Sequence, residues 1–315
     1  MTLAFVSIIS GIALIWISAE KLEKYSVLAA KQFGMSPFLI GSTVIAFGTS
    51  APEMLTTFFV SLEEQGSMVI GNVIGSNVAN LSLVFGSMLF IVSINKQNIS
   101  QPKSINKNLF ILLLSSLLVW AVIAIDPFNI VTSIVLLFTL LAVIFFWYRN
   151  NQEAPEMQEE DSSDNSLIKL IFSLVALVFA AWLITKGANL ILINYNLGQL
   201  FIGYTVLAIG TSLPEIAASV SLALKSRYEA VAGTLIGSNI FNGLCVLAIP
   251  GLFRSSQMSK GWEYSEWSSL LVILFTITLI FCTYIFILSK RGRKASILLS
   301  ILFLSIYFIS LIYAY

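Results

Sequence analysis

Histidine does not occur in the 315 residues, and cysteine occurs only twice. The first absence excludes imidazole metal ligands, imidazole general bases and imidazole proton relays. The second leaves Cys245 and Cys282, each inside an apolar run, and these read as small buried hydrophobes rather than a disulfide or a metal pair. Charge is scarce as well: 10% of the residues are charged, against about 25% in a soluble domain. With 57% hydrophobic residues, too little polar surface remains to cover a water-soluble globule. The net charge of +1 and the lack of a basic stripe give no support to a nucleic-acid partner. The first 19 residues contain neither Lys nor Arg, so the charged start of a signal peptide is missing. Met1–Ala19 therefore reads as a first membrane span, and a signal-anchor role during insertion is compatible with that.

What is present in abundance is apolar sequence. A span needs about 20 mostly apolar residues, and ten are expected: 2–19, 38–62, 68–93, 107–125, 128–148, 167–190, 199–224, 230–253, 265–288 and 294–313. Polar punctuation separates them, such as Glu20–Lys24, Glu63–Gly66 and Lys290–Lys294. The stretch Arg149–Ser166 carries six carboxylates and lies between the fifth and sixth spans. It lacks the spacing and glycine of an EF-hand loop, so it reads as a solvated tether rather than a Ca2+ sensor. If the N-terminus is outside, fourteen Lys and Arg fall in inner loops and three (Lys186, Arg254, Lys260) in outer ones. The positive-inside rule then places both termini outside and the acidic linker in the cytosol of a multi-pass cell-membrane protein. Trp147, Tyr148 and Trp262, near span ends, read as interface anchors.

The chain is also a duplication. GSTVIAFGTSAPE (Gly41–Glu53) recurs as GYTVLAIGTSLPE (Gly203–Glu215), and GNVIGSNVAN (Gly71–Asn80) recurs as GTLIGSNIFN (Gly233–Asn242). Both pairs are separated by the same 162 residues. Five spans lie between equivalent residues, and an odd number reverses direction across the bilayer. The expected fold class is thus an all-α integral membrane protein. Ten transmembrane helices form two inverted five-helix repeats, residues 1–148 and 167–315, joined by the 149–166 linker, with helices broken at mid-membrane. Duplicated, inverted halves with interrupted helices place a binding site where the halves meet.

Each copy of the first motif sets a glutamate in an apolar segment, and an intramembrane carboxylate marks a pathway by default. In Gly48-Thr49-Ser50-Ala51-Pro52-Glu53, Pro52 has no N–H, so the helical bond to the carbonyl of Gly48 cannot form. Carbonyl, hydroxyl and carboxylate oxygens then lie side by side, the ligands that hard cations prefer. Gly210-Thr211-Ser212-Leu213-Pro214-Glu215 repeats the set. One copy alone reads equally well as a Pro-kinked helix whose Ser and Thr bond their own backbone; two copies ending in a costly Glu favour the site. Ser76 and Asn80, like Ser238 and Asn242, lie four residues apart on one helical face. Alone they would read as interhelical hydrogen-bond residues, but beside the repeated glutamates they join the ligand set. Asn77 and Asn239 lie off that face and read as packing. Gly71-x-x-x-Gly75 and Gly233-x-x-x-Gly237 allow close helix approach, here to the glutamate-bearing helices. One divalent or two monovalent cations would neutralise Glu53 and Glu215 together, and a site that must not cross empty suits an exchanger. With no His or Cys in the set, Ca2+ or Na+ is favoured over zinc or copper.

These motifs resemble the α-repeats of the cation/calcium exchanger superfamily, in particular its sodium/calcium exchanger branch, over nearly the whole chain. The proton/calcium branch has G-N-x-x-E at its motif centre, which is absent here. The resemblance implies exchange of Na+ for Ca2+ at the repeat interface. It makes Glu53 and Glu215 the main ligands, with Thr49, Ser50, Ser76 and Asn80 supplying neutral oxygens from one half, and Thr211, Ser212, Ser238 and Asn242 from the other. It also implies that the long first and sixth spans slide past the broken helices. Many relatives carry Asp where this chain has Asn242, which bears on ion count, proton sensitivity and potassium dependence. The short linker resembles that of a prokaryotic member. The expectation is an antiporter and not an enzyme, with no organic cofactor, no obligatory protein partner evident, and Ca2+, Na+ and the bilayer as its contacts. The alternatives are a Ca2+/H+ antiporter on the same scaffold and a cation channel; an intramembrane hydrolase would need a nucleophile–base or paired-Asp site that the sequence lacks.

Overall fold

The computed structural model describes residues 2–32, 36–95, 105–150, 166–195, 197–253, 258, 268–287 and 293–314. Among these every regular element is helical and none is a strand. Ten segments cover the ten expected spans: α1 (Thr2–Gln32), α2 (37–62), α3 (Gly66–Ile94), α4 (Ile105–Ile125), α5 (Ile130–Asn150), α6 (Ser166–Tyr195), α7 (Gln199–Leu224), α8 (Tyr228–Phe253), α9 (Ser268–Ile287) and α10 (Arg293–Ala314). Most of the acidic linker, residues 151–165, lies outside the described residues, as do Trp262 and Lys290.

Helix α1 runs well past the expected end at residue 19, to Gln32. The reason is local: Glu20-Lys21-Leu22-Glu23-Lys24 is polar but consists of strong helix formers, with Glu20 and Lys24 at the favourable i,i+4 spacing. At 1.5 Å per residue α1 is about 46 Å long, well beyond a hydrocarbon core of about 30 Å.

Glycine contacts fix the relative directions of the helices. A methyl group at Gly11 of α1 would strike Ile184 and Ala180 of α6, and one at Gly187 of α6 would strike Ile8 and Ala4 of α1. Residue numbers rise along one helix as they fall along the other, so α1 and α6, the first helices of the two halves, are antiparallel. Gly233 of α8 packs against Phe38 and Ser42 of α2, and Gly237 packs against Ser42 and Ala46. Here the numbers rise together, so α2 and α8 are parallel. Gly71 meets Leu200 and Tyr204, and Gly75 meets Tyr204 and Ala208, so α3 and α7 are parallel too. Tight hairpins reverse the chain between α2 and α3 and between α7 and α8. Equivalent helices α2 and α7 therefore point in opposite directions, which is the inversion expected from the odd number of spans. The small-xxx-small glycines do bring in the glutamate-bearing helices, and each pair grips the helix of the other half.

The hairpins repeat in detail. Gln65 N–H reaches Val60 O (3.3 Å) and Glu64 N–H reaches Ser61 O (3.1 Å). In the second half Arg227 N–H reaches Leu222 O and Ser226 N–H reaches Ala223 O, both at 2.9 Å. This double bond pattern closes a helix end and needs a left-handed residue, which Glu64 (φ 59°) and Ser226 (φ 57°) supply at equivalent positions.

Burial separates centre from rim. Helices α3 and α8 are mostly enclosed, whereas α5 and α10 turn most of their apolar surface outward, as with Phe138 and Phe145. That outward surface suits lipid, and the chain is a multi-pass membrane protein. Trp147 departs from the expected interface belt. It is fully buried, its Nε1–H donates to Asn108 Oδ1 at 3.0 Å, and its ring meets Phe38 edge-on at 6.1 Å. It ties α5 to α4 and α2 inside the protein, while its neighbour Tyr148 is exposed.

Candidate functional site

Four helices meet at the centre, α2 and α3 from one half and α7 and α8 from the other. Each contains one wide turn in which a backbone N–H reaches the carbonyl five residues back. Ala46 N–H bonds Gly41 O, Phe85 bonds Asn80, Ala208 bonds Gly203, and Leu247 bonds Asn242. These four turns sit at equivalent positions, Ile40–Ile45 with Gly203–Leu207 and Asn80–Val84 with Asn242–Val246. A wide turn inserts one extra residue and rotates everything after it by about 100°. Helices interrupted this way recur at functional sites.

The proline motifs are built differently in the two halves. In α2 the helix Ala46–Leu62 runs through Pro52. In α7 the corresponding helix stops at Thr211, Ser212 takes a non-helical conformation (φ −83°, ψ 0°), and a new helix starts at Leu213 with Pro214 in its first turn. Proline is well placed there because its missing N–H would have had no partner. In the first half Thr56, one turn beyond Pro52, donates its Oγ1–H to Pro52 O (2.9 Å) or Glu53 O (3.1 Å).

The structure brings all ten expected residues into this region, and all are buried. Glu53 and Glu215 are 0% and 1% exposed. The two carboxylates are near enough to interact; Glu53 faces Thr211, and Glu215 faces Thr49 and Ser50. Each acid is thus turned toward hydroxyls of the opposite half. Among the described residues neither carboxylate has a partner in good hydrogen-bond geometry. Ser50, Ser76, Ser212, Asn80 and Asn242 likewise carry buried side-chain polar atoms with no hydrogen bond. Thr49 Oγ1 and Ser238 Oγ pair across the halves at 3.3 Å. The equivalent Thr211 instead donates to Leu207 O in its own helix at 3.0 Å. Among the described residues no group of three or more His, Cys, Asp or Glu occurs, so these two acids are supplemented by neutral oxygens alone.

Buried polar atoms in native proteins are almost always hydrogen-bonded, and each exception calls for an explanation. Here the exceptions include both carboxylates together with hydroxyls and amides of the same four helices, while others, such as Ser133 and Tyr307, lie elsewhere. A set of oxygen acceptors carrying two negative charges matches the coordination chemistry of hard cations. Asn239 donates from Nδ2 to Leu235 O of its own helix at 2.8 Å, and its buried Oδ1 has no partner among the described residues.

Thr57, Asn72 and Ser219 were not among the expected residues. Asn72 Nδ2–H donates to Thr57 Oγ1 at 3.1 Å, one turn from Ser76 and Glu53, and its Oδ1 has no partner. Ser219, the repeat mate of Thr57, is fully buried with an unpartnered Oγ. Only the i,i+4 spacing of Thr57 and Ser219 from the glutamates, and of Asn72 from Ser76, could have signalled them, because neither Asn72 (matched by Thr234) nor Thr57 (matched by Ser219) passes the test of identity between halves.

The family model for sodium/calcium exchanger protein matches residues 3–149 and 165–315. An uncharacterized membrane protein of Methanocaldococcus jannaschii is 32% identical over 304 residues, covering 96% of this chain and 94% of that protein. The sodium/calcium exchanger MaX1 of Methanosarcina acetivorans is 28% identical, with 88% and 97% covered. Among solved structures, the sodium-calcium exchanger NCX_Mj, soaked with Na+ and Ca2+, superposes with a TM-score of 0.71 at 30% identity, covering 98% of this chain and 97% of that one.

Proposed function

The chain belongs to the sodium/calcium exchanger protein family, and on that premise we propose that it exchanges Na+ for Ca2+ by alternating access, binding both ions between Glu53 and Glu215. The observation that carries this reading is the pair of buried carboxylates, one from each inverted half, near enough to repel each other and without a well-formed hydrogen bond among the described residues. One Ca2+ or two Na+ cancels both charges, whereas the empty, fully ionised site leaves two charges in a low-dielectric interior, each costing roughly 2.5–3.5 kcal/mol on insertion scales. The protein therefore crosses between its two faces loaded and resists crossing empty, which is the condition for coupled exchange. In this reading Thr49, Ser50, Ser76, Asn80, Thr211, Ser212, Ser238 and Asn242 complete the coordination. The repeats comprise residues 1–148 and 167–315. Both termini face outward from the cell membrane, and the 149–166 linker is cytosolic.

Unpartnered carboxylates also accept protons, so Ca2+/H+ exchange is the alternative to exclude. The test is calcium-45 uptake into proteoliposomes with an imposed Na+ gradient on or off, and then with a pH gradient and no Na+. Uptake that follows only the Na+ gradient and is stimulated by Ca2+ on the far side supports the proposal. Uptake driven by pH alone overturns the Na+ assignment, and flux without stimulation from the far side indicates a channel. Glu53→Gln and Glu215→Gln should each abolish uptake, and wild-type flux from both would end the site assignment.

A further inference from the structure

The buried polar lining does not end at the five repeated pairs. Thr57 lies one turn beyond Glu53 on α2, and Asn72 lies one turn before Ser76 on α3, each about 6 Å along its helix and on the same face as its neighbour. Helices α2 and α3 are joined by a hairpin, so both displacements run toward the same side of the membrane, and the two side chains meet. Asn72 Nδ2–H donates to Thr57 Oγ1 at 3.1 Å. Both residues are 0% exposed, and Asn72 Oδ1 has no partner among the described residues. Thr57 Oγ1 keeps a second lone pair. This layer therefore presents an amide oxygen and a hydroxyl oxygen, both ligands for hard cations, and carries no charge. The other half is built differently. Thr234 stands in place of Asn72 and donates its Oγ1–H to Ala230 O of its own helix at 2.9 Å, and Ser219, in place of Thr57, has an unpartnered Oγ. Neither position holds an amide.

We propose, on the exchange reading given above, that Asn72 and Thr57 form a further cation step, which the transported ion occupies between the glutamates and the face carrying the α2–α3 hairpin. A buried amide oxygen without a hydrogen bond is costly, and a visiting cation relieves that cost. Such a step has to be favourable enough to receive an ion and weak enough to release it. Two neutral oxygens meet that condition, whereas a further carboxylate would hold a divalent ion too firmly. The bond from Nδ2 to Thr57 fixes the amide in advance, so Oδ1 takes the ion without rearrangement of the side chain. Ions that enter or leave at the hairpin face pass this amide. Ions that enter or leave at the opposite face meet only the hydroxyls of Ser219 and Thr234. Asn72 thus sets the half-saturating ion concentration at one face alone, although the five ligand pairs are the same in both halves.

The test is calcium-45 uptake, as a function of Ca2+ concentration, into right-side-out and inside-out membrane vesicles of cells expressing the chain, driven by whichever of the Na+ and pH gradients drives the wild type. Asn72→Leu keeps the volume and removes the ligand. It should raise the half-saturating Ca2+ concentration roughly fivefold in one vesicle type and leave the other unchanged. The rise in melting temperature that Ca2+ gives the purified chain should stay as in the wild type. Asn72→Asp adds a charge that receives the ion and retains it, so it should lower both the half-saturating concentration and the maximal rate at that same face. Thr57→Val removes the second oxygen and should act in the direction of Asn72→Leu; it decides the matter if Asn72→Leu does not fold. Equal changes in both vesicle types with a lower melting temperature would make Asn72 a packing residue, and unchanged kinetics in both would leave its oxygen to a resident water; either result overturns the inference. Failure of the exchange reading looks different, because Glu53→Gln and Glu215→Gln would then retain uptake whatever Asn72→Leu does.

Discussion

Neutralising one buried acid should make the ion-free protein more stable while removing its response to Ca2+. All four carboxylate oxygens of Glu53 and Glu215 are buried, and among the described residues none has a well-formed hydrogen bond, so little native contact is lost when one becomes an amide. What disappears is the burial cost of one charge, roughly 2.5–3.5 kcal/mol, together with its repulsion of the other carboxylate. Glu215→Gln measured in chelator and alkaline buffer, where the carboxylates are ionised, should therefore melt several degrees above the wild type, at about 2–4 °C per kcal/mol for a chain somewhat shorter than this one. Ca2+ acts in the opposite way on the two proteins. At a hundredfold excess over its Kd it stabilises the wild type by about 2.7 kcal/mol. The variant presents one charge instead of two and should lose most of that gain. Thermal unfolding in detergent, with and without Ca2+ at low Na+, reads both effects. A variant that melts lower in chelator and keeps the full Ca2+ shift would refute the reasoning, because the carboxylate would then be a structural hydrogen-bonder and not an ion ligand.

Three further outcomes are expected. Gly41→Ala and Gly203→Ala each drive a methyl group into backbone of the opposite half, at Ala230 and Met68; backbone cannot step aside, so each should cost about 1–3 kcal/mol and lower the melting temperature, while Gly198→Ala, with nothing within 4 Å, should not. Thr49→Val removes the hydroxyl that pairs with Ser238 and faces Glu215; Ca2+ affinity should fall several-fold in calcium-45 uptake with little change in melting temperature, and an unchanged affinity would remove Thr49 from the site. Asn80→Asp and Asn242→Asp each add a titratable group at equivalent places, and each should steepen the pH dependence of exchange; unchanged profiles in both would count against placing these amides beside the ions.

The constant offset between the halves made much of this legible in the sequence. Five residues recur identically as Thr49/Thr211, Ser50/Ser212, Glu53/Glu215, Ser76/Ser238 and Asn80/Asn242, and all ten are buried on the four central helices. The same filter of identity hid Asn72 and Thr57, whose mates are Thr234 and Ser219. The wide turns were not legible, because a five-residue hydrogen bond has no residue signature of its own; Gly233 and Gly237 pack on the turn of α2, and Gly71 and Gly75 on that of α7. Proline was a partial guide. It marked both motifs, but the helix runs on through Pro52, and only α7 opens a non-helical turn at Ser212. Trp147 was misplaced because proximity to a span end does not tell lipid from a neighbouring helix.

Symmetry of donors and asymmetry of geometry together bear on mechanism. The donor chemistry of the two halves is the same at all five pairs, so inversion of the halves would give each face of the membrane an equivalent view of the site. The observed geometry does not share that symmetry. Thr49 pairs with Ser238 across the halves, while their mates Thr211 and Ser76 do not pair: Thr211 bonds its own helix and Ser76 has no partner. The helix runs on through Pro52 but stops at Ser212. In the proposed cycle the halves would exchange these geometries in a second arrangement, made of the same kinds of contact and facing the other side. In the proposed cycle the ions sit between the two carboxylates in both arrangements, and the donors themselves give neither face an advantage. Net direction then follows from the ion gradients and from features outside the five pairs, such as the hairpins, where Glu63 and Gln65 of one half stand against Lys225 and Arg227 of the other.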